Sequence, residues 1–151
     1  MQESKDTLVV AASMPSGLVK LSFLGGINLG RAKEPKQAKH SSILVASLTD
    51  LMATKLKAIL DRAEAKDYRD LAAMLSAGVS LEEGLGAFTK MYGKDPGLAL
   101  RAIGFFEDGD LPSLPQSDRN ILRAARDNVT KIPDVTLAYG SLAVPIADHN
   151  S

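Results

Sequence analysis

"SLTDLMATKLKAILDRAEAKDYRDLAAML", residues 47–75, carries two helical patterns, and in each of them charges stand where apolar side chains belong. Counting 100° per residue from Leu48 puts Leu51, Met52, Leu56, Ile59 and Ala63 on one broad face. Lys55 and Arg62 fall in the middle of that face, about 20° apart. Lys57 falls on the opposite side with Asp50 and Asp61, and Lys57 and Asp61 have the i,i+4 spacing of an ordinary exposed pair. A second helix opening near Lys66 repeats the arrangement: Asp67 and Asp70 align with Leu71, Met74 and Leu75, while Arg69 faces away. Burying these charges unpaired would cost several kcal/mol each. They therefore pair with one another or face a polar cleft. Two readings stay open here. One is a partly buried ion-pair network. The other is a cleft floor on which Lys55 and Arg62 contact phosphate oxygens. In that cleft Asp67 or Asp70 would hold the lysine, bind a hydroxyl or move a proton.

Outward from this stretch the chain divides into three. Residues 1–46 read as a partial sheet, with "TLVVAA", the alternating "LVKLSFL" and "ILVASL" as three candidate strands and "MPSG" as a turn. Residues 47–129 read as a helical domain of four or five helices. Ser47 with Asp50, Ser80 with Glu83, and Asp95 before Pro96 are the start signals. Residues 130–151 read as a C-terminal tail, packed as an arm or left mobile. The fold class expected is α+β, a small N-terminal sheet followed by a helix bundle.

Composition narrows the chemistry. Eighteen basic and eighteen acidic residues cancel, which argues against a protein that coats nucleic acid by bulk charge. A local excess remains in "RAKEPKQAK", readable as a solvated loop or as a phosphate-contacting one. The absence of cysteine removes disulfides, thiolate metal sites and a cysteine nucleophile. His40 and His149 stand in polar or terminal contexts, so a histidine metal centre is not expected. "MQESKDT" has no apolar signal core, and no apolar run approaches the ~20 residues of a membrane helix. A cytoplasmic protein without membrane contact is the expectation.

With these residues in view, the segment resembles the AbiEii/AbiGii-type nucleotidyltransferases, the toxins of bacterial abortive-infection and toxin–antitoxin pairs. The resemblance rests on Lys55, Ala58 and Arg62 followed by Lys66-Asp67-Tyr68-Arg69-Asp70-Leu71. It is strongest over residues 43–75 and extends over 7–110. It implies a polymerase-β-like nucleotidyltransferase fold and transfer of a nucleotide from an NTP to an acceptor such as RNA. It also implies Mg²⁺ and a cognate antitoxin as partner. The candidate catalytic residues are Lys55, Asp67 and Asp70, and the candidate phosphate-binding residues are Lys55 and Arg62. The family's metal-binding acids come from an upstream Gly-Ser…Arg and Asp-x-Asp signature. No Asp-x-Asp precedes Lys55, and Asp108-Gly-Asp110 lies late, in a loop. The glycines of "LGGINLGR" and the dipeptide Gly140-Ser141 are weak matches, explained by backbone turns. No residue is therefore assigned to metal. The chain reads as a C-terminal portion of such an enzyme, incomplete for catalysis as it stands. The alternative is a non-catalytic module that docks an antitoxin or a full-length relative.

Overall fold

The computed structural model describes residues 2–4, 7–24 and 29–139. The class is the expected one, α+β, with small antiparallel sheets ahead of five α-helices. β1 (Gln2–Ser4), β2 (Thr7–Met14) and β3 (Gly17–Leu24) form one sheet in that order. Pro15 and Ser16 close the β2–β3 hairpin, with Met14 opposite Gly17. Gly17 has φ +124°, a region that L side chains rarely adopt, at the turn the sequence signalled.

The strands are distributed otherwise than expected. Polar "MQESKDT" supplies β1, while "ILVASL" yields only β5 (Leu44–Val45), paired with β4 (Lys36–Gln37) in a separate ribbon. The reason is local: Ser47 caps the next helix and Leu48 enters it, which removes the end of the run. The alternation through Leu21 and Phe23, residues 25–28 of the glycine-rich stretch, and Gly140, Ser141 and His149 lie outside the described residues or side chains.

The helices are α1 (Leu48–Asp61), α2 (Ala65–Ser76), α3 (Leu81–Tyr92), α4 (Pro96–Ile103) and α5 (Gln116–Asp127). The expected caps are in place. Ser47 accepts the Asp50 N–H at 3.1 Å and Ser80 accepts the Glu83 N–H at 3.2 Å. Asp95 accepts the Gly97 N–H at 2.8 Å, with Pro96 at the first helical position. α1 packs on α2, α3 and α4, and α5 closes over α2 and α4. Met52, Leu56, Leu71, Leu85, Phe88 and Ile103 form the centre of the core. Each such side chain contributes roughly 1.5–3 kcal/mol on burial.

The buried face of α1 is not centred where the apolar stripe placed it. Thr49, Met52, Ala53, Leu56 and Ile59 are buried, while Leu48 and Leu51 are exposed. The helix is thus turned by about 60° from the sequence reading. Lys55 consequently stands at the border of the core face instead of its middle. Asp50, expected to be exposed, is buried, with 6% of its surface accessible.

The cause is a segment far away in the chain. The Asp50 carboxylate accepts the N–H groups of Ala32 at 2.7 Å and Lys33 at 3.2 Å, and the Ser47 hydroxyl donates to it at 2.8 Å. Lys33 also pairs with Glu83 of α3 at 2.6 Å. One first-turn acid therefore fastens residues 31–33 across the start of α1. Asp50→Ala strands three donors, two of them backbone N–H groups. The expected loss is about 2–3 kcal/mol, read as a lowered urea midpoint at unchanged m-value.

The first part of the tail packs as an arm. Glu82 accepts the N–H of Thr130 at 2.8 Å, and Val129 and Ile132 join the core margin. Arg31 and Ala138 exchange backbone hydrogen bonds at 2.8 Å each. Gly86 lets this arm approach α3, since a Cβ there would lie 2.6 Å from the Pro133 carbonyl oxygen.

Candidate functional site

α1 ends at Asp61, and Arg62 leaves it with φ −154° and ψ 142°. Three residues later α2 begins at Ala65. This short link turns the end of one helix against the start of the next and brings Lys55, Arg62, Asp67 and Asp70 together. The Lys55 ammonium lies 3.0 Å from Asp67 Oδ1 and 2.7 Å from Asp70 Oδ2. Arg62 Nε donates to Asp67 Oδ2 at 2.8 Å, and its Nη2 reaches Oδ1 at 3.4 Å. A looser outer pair surrounds them, with Glu64 at 3.7 Å from Arg62 and 3.1 Å from Lys66.

The four side chains are graded in depth. Asp67 is fully buried, Lys55 is 25% exposed, Arg62 48% and Asp70 55%. Of the four expected to point inward, Asp67 does so completely, and Lys55 lies between. Arg62 and Asp70 face solvent by about half. Arg62 does so because α1 has already ended, so the helical wheel no longer fixes its direction. Asp70 does so because the buried side of α2 runs through Asp67, Tyr68, Leu71 and Met74.

Both oxygens of Asp67 are engaged, Oδ1 by Lys55 and Arg62 Nη2 and Oδ2 by Arg62 Nε. Burial pushes its carboxyl up, but the hydrogen bonds and charges of Arg62 and Lys55 outweigh it and hold the group below the usual carboxylate range. Burial likewise pulls the Lys55 ammonium down, and the hydrogen bonds and charges of Asp70 and Asp67 leave it net raised. Asp67 thus stays ionised at neutral pH with its lone pairs occupied. Asp70 is the carboxylate able to leave the network, being half in solvent and, among the described residues, paired with Lys55 alone.

Lys57 separates from Lys55 by partner, not by depth. It too is 25% exposed, but it pairs with Asp61, and its ammonium lies 5.7 Å from the Tyr92 ring centroid.

Two neighbours that the sequence reading missed hold α2 in place. Asp110 Oδ1 accepts the Ala65 N–H at 2.7 Å, capping α2 from a loop 45 residues later. Glu64 at the α2 N-cap makes no such bond itself. Tyr68, next to Asp67, is buried and donates to the Ala102 carbonyl at 3.1 Å. Burial, with the Asp108 charge, pushes its phenol up to about 12, so it is a fixed donor. The Asp108-Gly-Asp110 element has this structural role, for which its Asp-Gly turn was the only available signal.

Mg²⁺ is the cofactor the resemblance implied. Among the described residues no group of three or more His, Asp or Glu converges in a way that could hold a metal ion. Asp67, the deepest acid of the cluster, has both oxygens taken by cations. The residues described do not fit a metal cage, and no step is routed through one below. No helix among the described residues is long and apolar enough to cross a membrane.

A family model described as the nucleotidyl transferase AbiEii toxin of a type IV toxin–antitoxin system matches residues 28–138. The chain belongs to that family. The match begins after the β1–β3 sheet and runs on through α5 and the arm, beyond the residue 110 at which the sequence resemblance stopped. No curated protein and no solved structure matches the chain.

Proposed function

We propose that this AbiEii-family chain contributes the cation–carboxylate side of a nucleotide-transfer site, moving a nucleotide from an NTP to an acceptor such as RNA in the bacterial cytoplasm. The observation that supports it most is the graded cluster: a buried Asp67 holding both a partly exposed Lys55 and a half-exposed Arg62. The half-exposed Asp70 also stabilises the Lys55 ammonium, and in a binding site it is the acid able to give way to a phosphate oxygen.

In this reading Lys55 and Arg62 bind the triphosphate, and Asp67 is a positioning residue that fixes both cations. Asp70, displaced from Lys55, takes up the acceptor hydroxyl and receives its proton. The hydroxyl oxygen bonds to the α-phosphorus, the bond to the bridging oxygen breaks, and pyrophosphate leaves. Carboxylates for a metal are not found among the described residues, so efficient transfer draws them from elsewhere. A cognate antitoxin would restrain the toxin in the cell. The partition proposed is a sheet region over 1–46, the site-bearing helices over 47–129, and an arm and tail over 130–151.

Labelled NTP, Mg²⁺ and bulk RNA supply the test, with the chain alone and mixed with a polypeptide bearing the missing carboxylates. Incorporation is expected, reduced about 100-fold or more by Lys55→Met. Asp70→Asn removes the competitor on Lys55. It is expected to bind NTP several-fold more tightly while transfer slows by about 100-fold, a split between KM and kcat that a structural pair would not produce. No incorporation in either arrangement, or full activity in Lys55→Met, rejects the reading.

A further inference from the structure

Four basic side chains crowd residues 31–39, and the fold uses only the first two. Arg31 is buried and lies 3.5 Å from Glu34, and Lys33 is matched by Glu83 at 2.6 Å. Lys36 and Lys39 sit on the exposed β4–β5 ribbon and make no ion pair among the described residues. Their positive charge is therefore available to a partner.

The ribbon that carries them is ordered by its own bonds. The Ala38 N–H reaches the Ile43 carbonyl at 2.9 Å, and the Gln37 amide donates to the Ser41 carbonyl at 2.7 Å. The Ser41 hydroxyl accepts the Ile43 N–H at 3.1 Å. At the tip His40 has φ +58°, a left-handed conformation uncommon for a residue other than glycine. A turn tied in this way loses little freedom when a ligand arrives.

Its placement matters as much as its charge. Asp50 and Glu83 pin the preceding residues 31–33 to α1 and α3, and Val45 is followed after one residue by the α1 cap Ser47. The ribbon thus springs from the N-terminal end of the helix that bears Lys55, about 10 Å further along the axis. Ile43 and Val45, 65% and 50% exposed, lie on the same ribbon and offer apolar contact to sugars and bases.

We propose that the Lys36–Val45 ribbon holds the phosphodiester backbone of a nucleic-acid strand through Lys36 and Lys39. The inference goes beyond the transfer reading and does not rest on it, since it concerns binding in the absence of NTP.

The test is fluorescence anisotropy of a short labelled strand, as single-stranded RNA, single-stranded DNA and duplex RNA, without NTP. Salt is varied from about 50 to 200 mM, the range over which phosphate contacts are lost. Binding that weakens with salt is expected. Lys36→Glu/Lys39→Glu should weaken it on the order of tenfold and lower the salt slope by about 1.4, two single-strand phosphate contacts. Equal affinity for RNA and DNA supports backbone contact alone, and an RNA preference supports added 2′-hydroxyl contact. Both lysines face solvent, so the urea midpoint should not move. Lys36→Gln/Lys39→Gln, with an intermediate loss, keeps the test decisive if the reversal unfolds. Absence of binding, salt-insensitive binding, an unchanged slope in the variants, or binding only to phosphatidylserine vesicles overturns the proposal.

Discussion

Asp67→Asn is expected to lower stability by about 2–3 kcal/mol, a fall of roughly 5–10 °C in Tm for a chain of this size. The substitution keeps the volume and removes the charge. Asp67 is fully buried and answers both Lys55 and Arg62. An amide in its place can accept from one of them, and its NH₂ then confronts the donors of the other. The loss stays below that of a wholly buried pair because Lys55 retains Asp70 and Arg62 reaches water.

The pH dependence gives the loss a signature. The folded Asp67 carboxyl lies below its ordinary value of 3.8, held there by Arg62 and Lys55 against burial. Its contribution is therefore fully present above pH 3.8 and is lost as pH falls through the lowered folded value. The gap between wild type and Asp67→Asn should stay constant from neutral pH down to about pH 4 and close below it. For Lys55 the sign reverses. Its raised folded value makes its contribution complete below 10.5 and lost as pH rises through that higher value. Urea denaturation across pH reads both limbs. A gap that widens in acid contradicts the assignment.

Gly109→Ala is expected to cost about 3 kcal/mol although it lies far from the charged cluster in sequence. Gly109 has φ +55°, and a Cβ there would stand 2.3 Å from the Ala63 carbonyl oxygen and 3.2 Å from the Ala63 Cβ. The near atom is backbone, in the link between α1 and α2, so no side-chain rotation relieves the clash. The loop must move, and with it Asp110, which caps α2 at the Ala65 N–H. Leu111 and Leu114, buried just beyond, lose packing as well. Because Asp67 is in the first turn of α2, the effect reaches the site. Hydrogen exchange should quicken at the Ala65 and Lys66 amides more than at the far end of α3. Uniform acceleration throughout the helices would indicate general loosening instead.

The two predictions also mark what could be read from residue order. The caps at Ser47, Ser80 and Asp95 were legible because each is decided within four residues of its helix start. The meeting of Lys55 with Asp67 and Asp70 was legible for a similar reason, a short link between two helices of known phase. Asp50 was assigned to the wrong side because its burial depends on residues 31–33 crossing α1, which no local periodicity records. Asp110 was read only as a loop acid because its partner, the Ala65 N–H, is 45 residues away. Arg62 was placed inward by extending a helix that stops at Asp61. The family resemblance was legible in the Lys55-to-Leu71 spacing, while residues 111–138 offered a helix pattern but no motif that tied them to the family.

Calorimetric titration of the chain with each of the common ribonucleoside triphosphates bears on the proposed binding role of the charged cluster most directly. At least one should bind to the wild type, at least about tenfold more weakly to Lys55→Met and several-fold more tightly to Asp70→Asn. Failure of every triphosphate to bind, or equal affinity in all three proteins, would mean that Lys55, Arg62, Asp67 and Asp70 only hold two helices together.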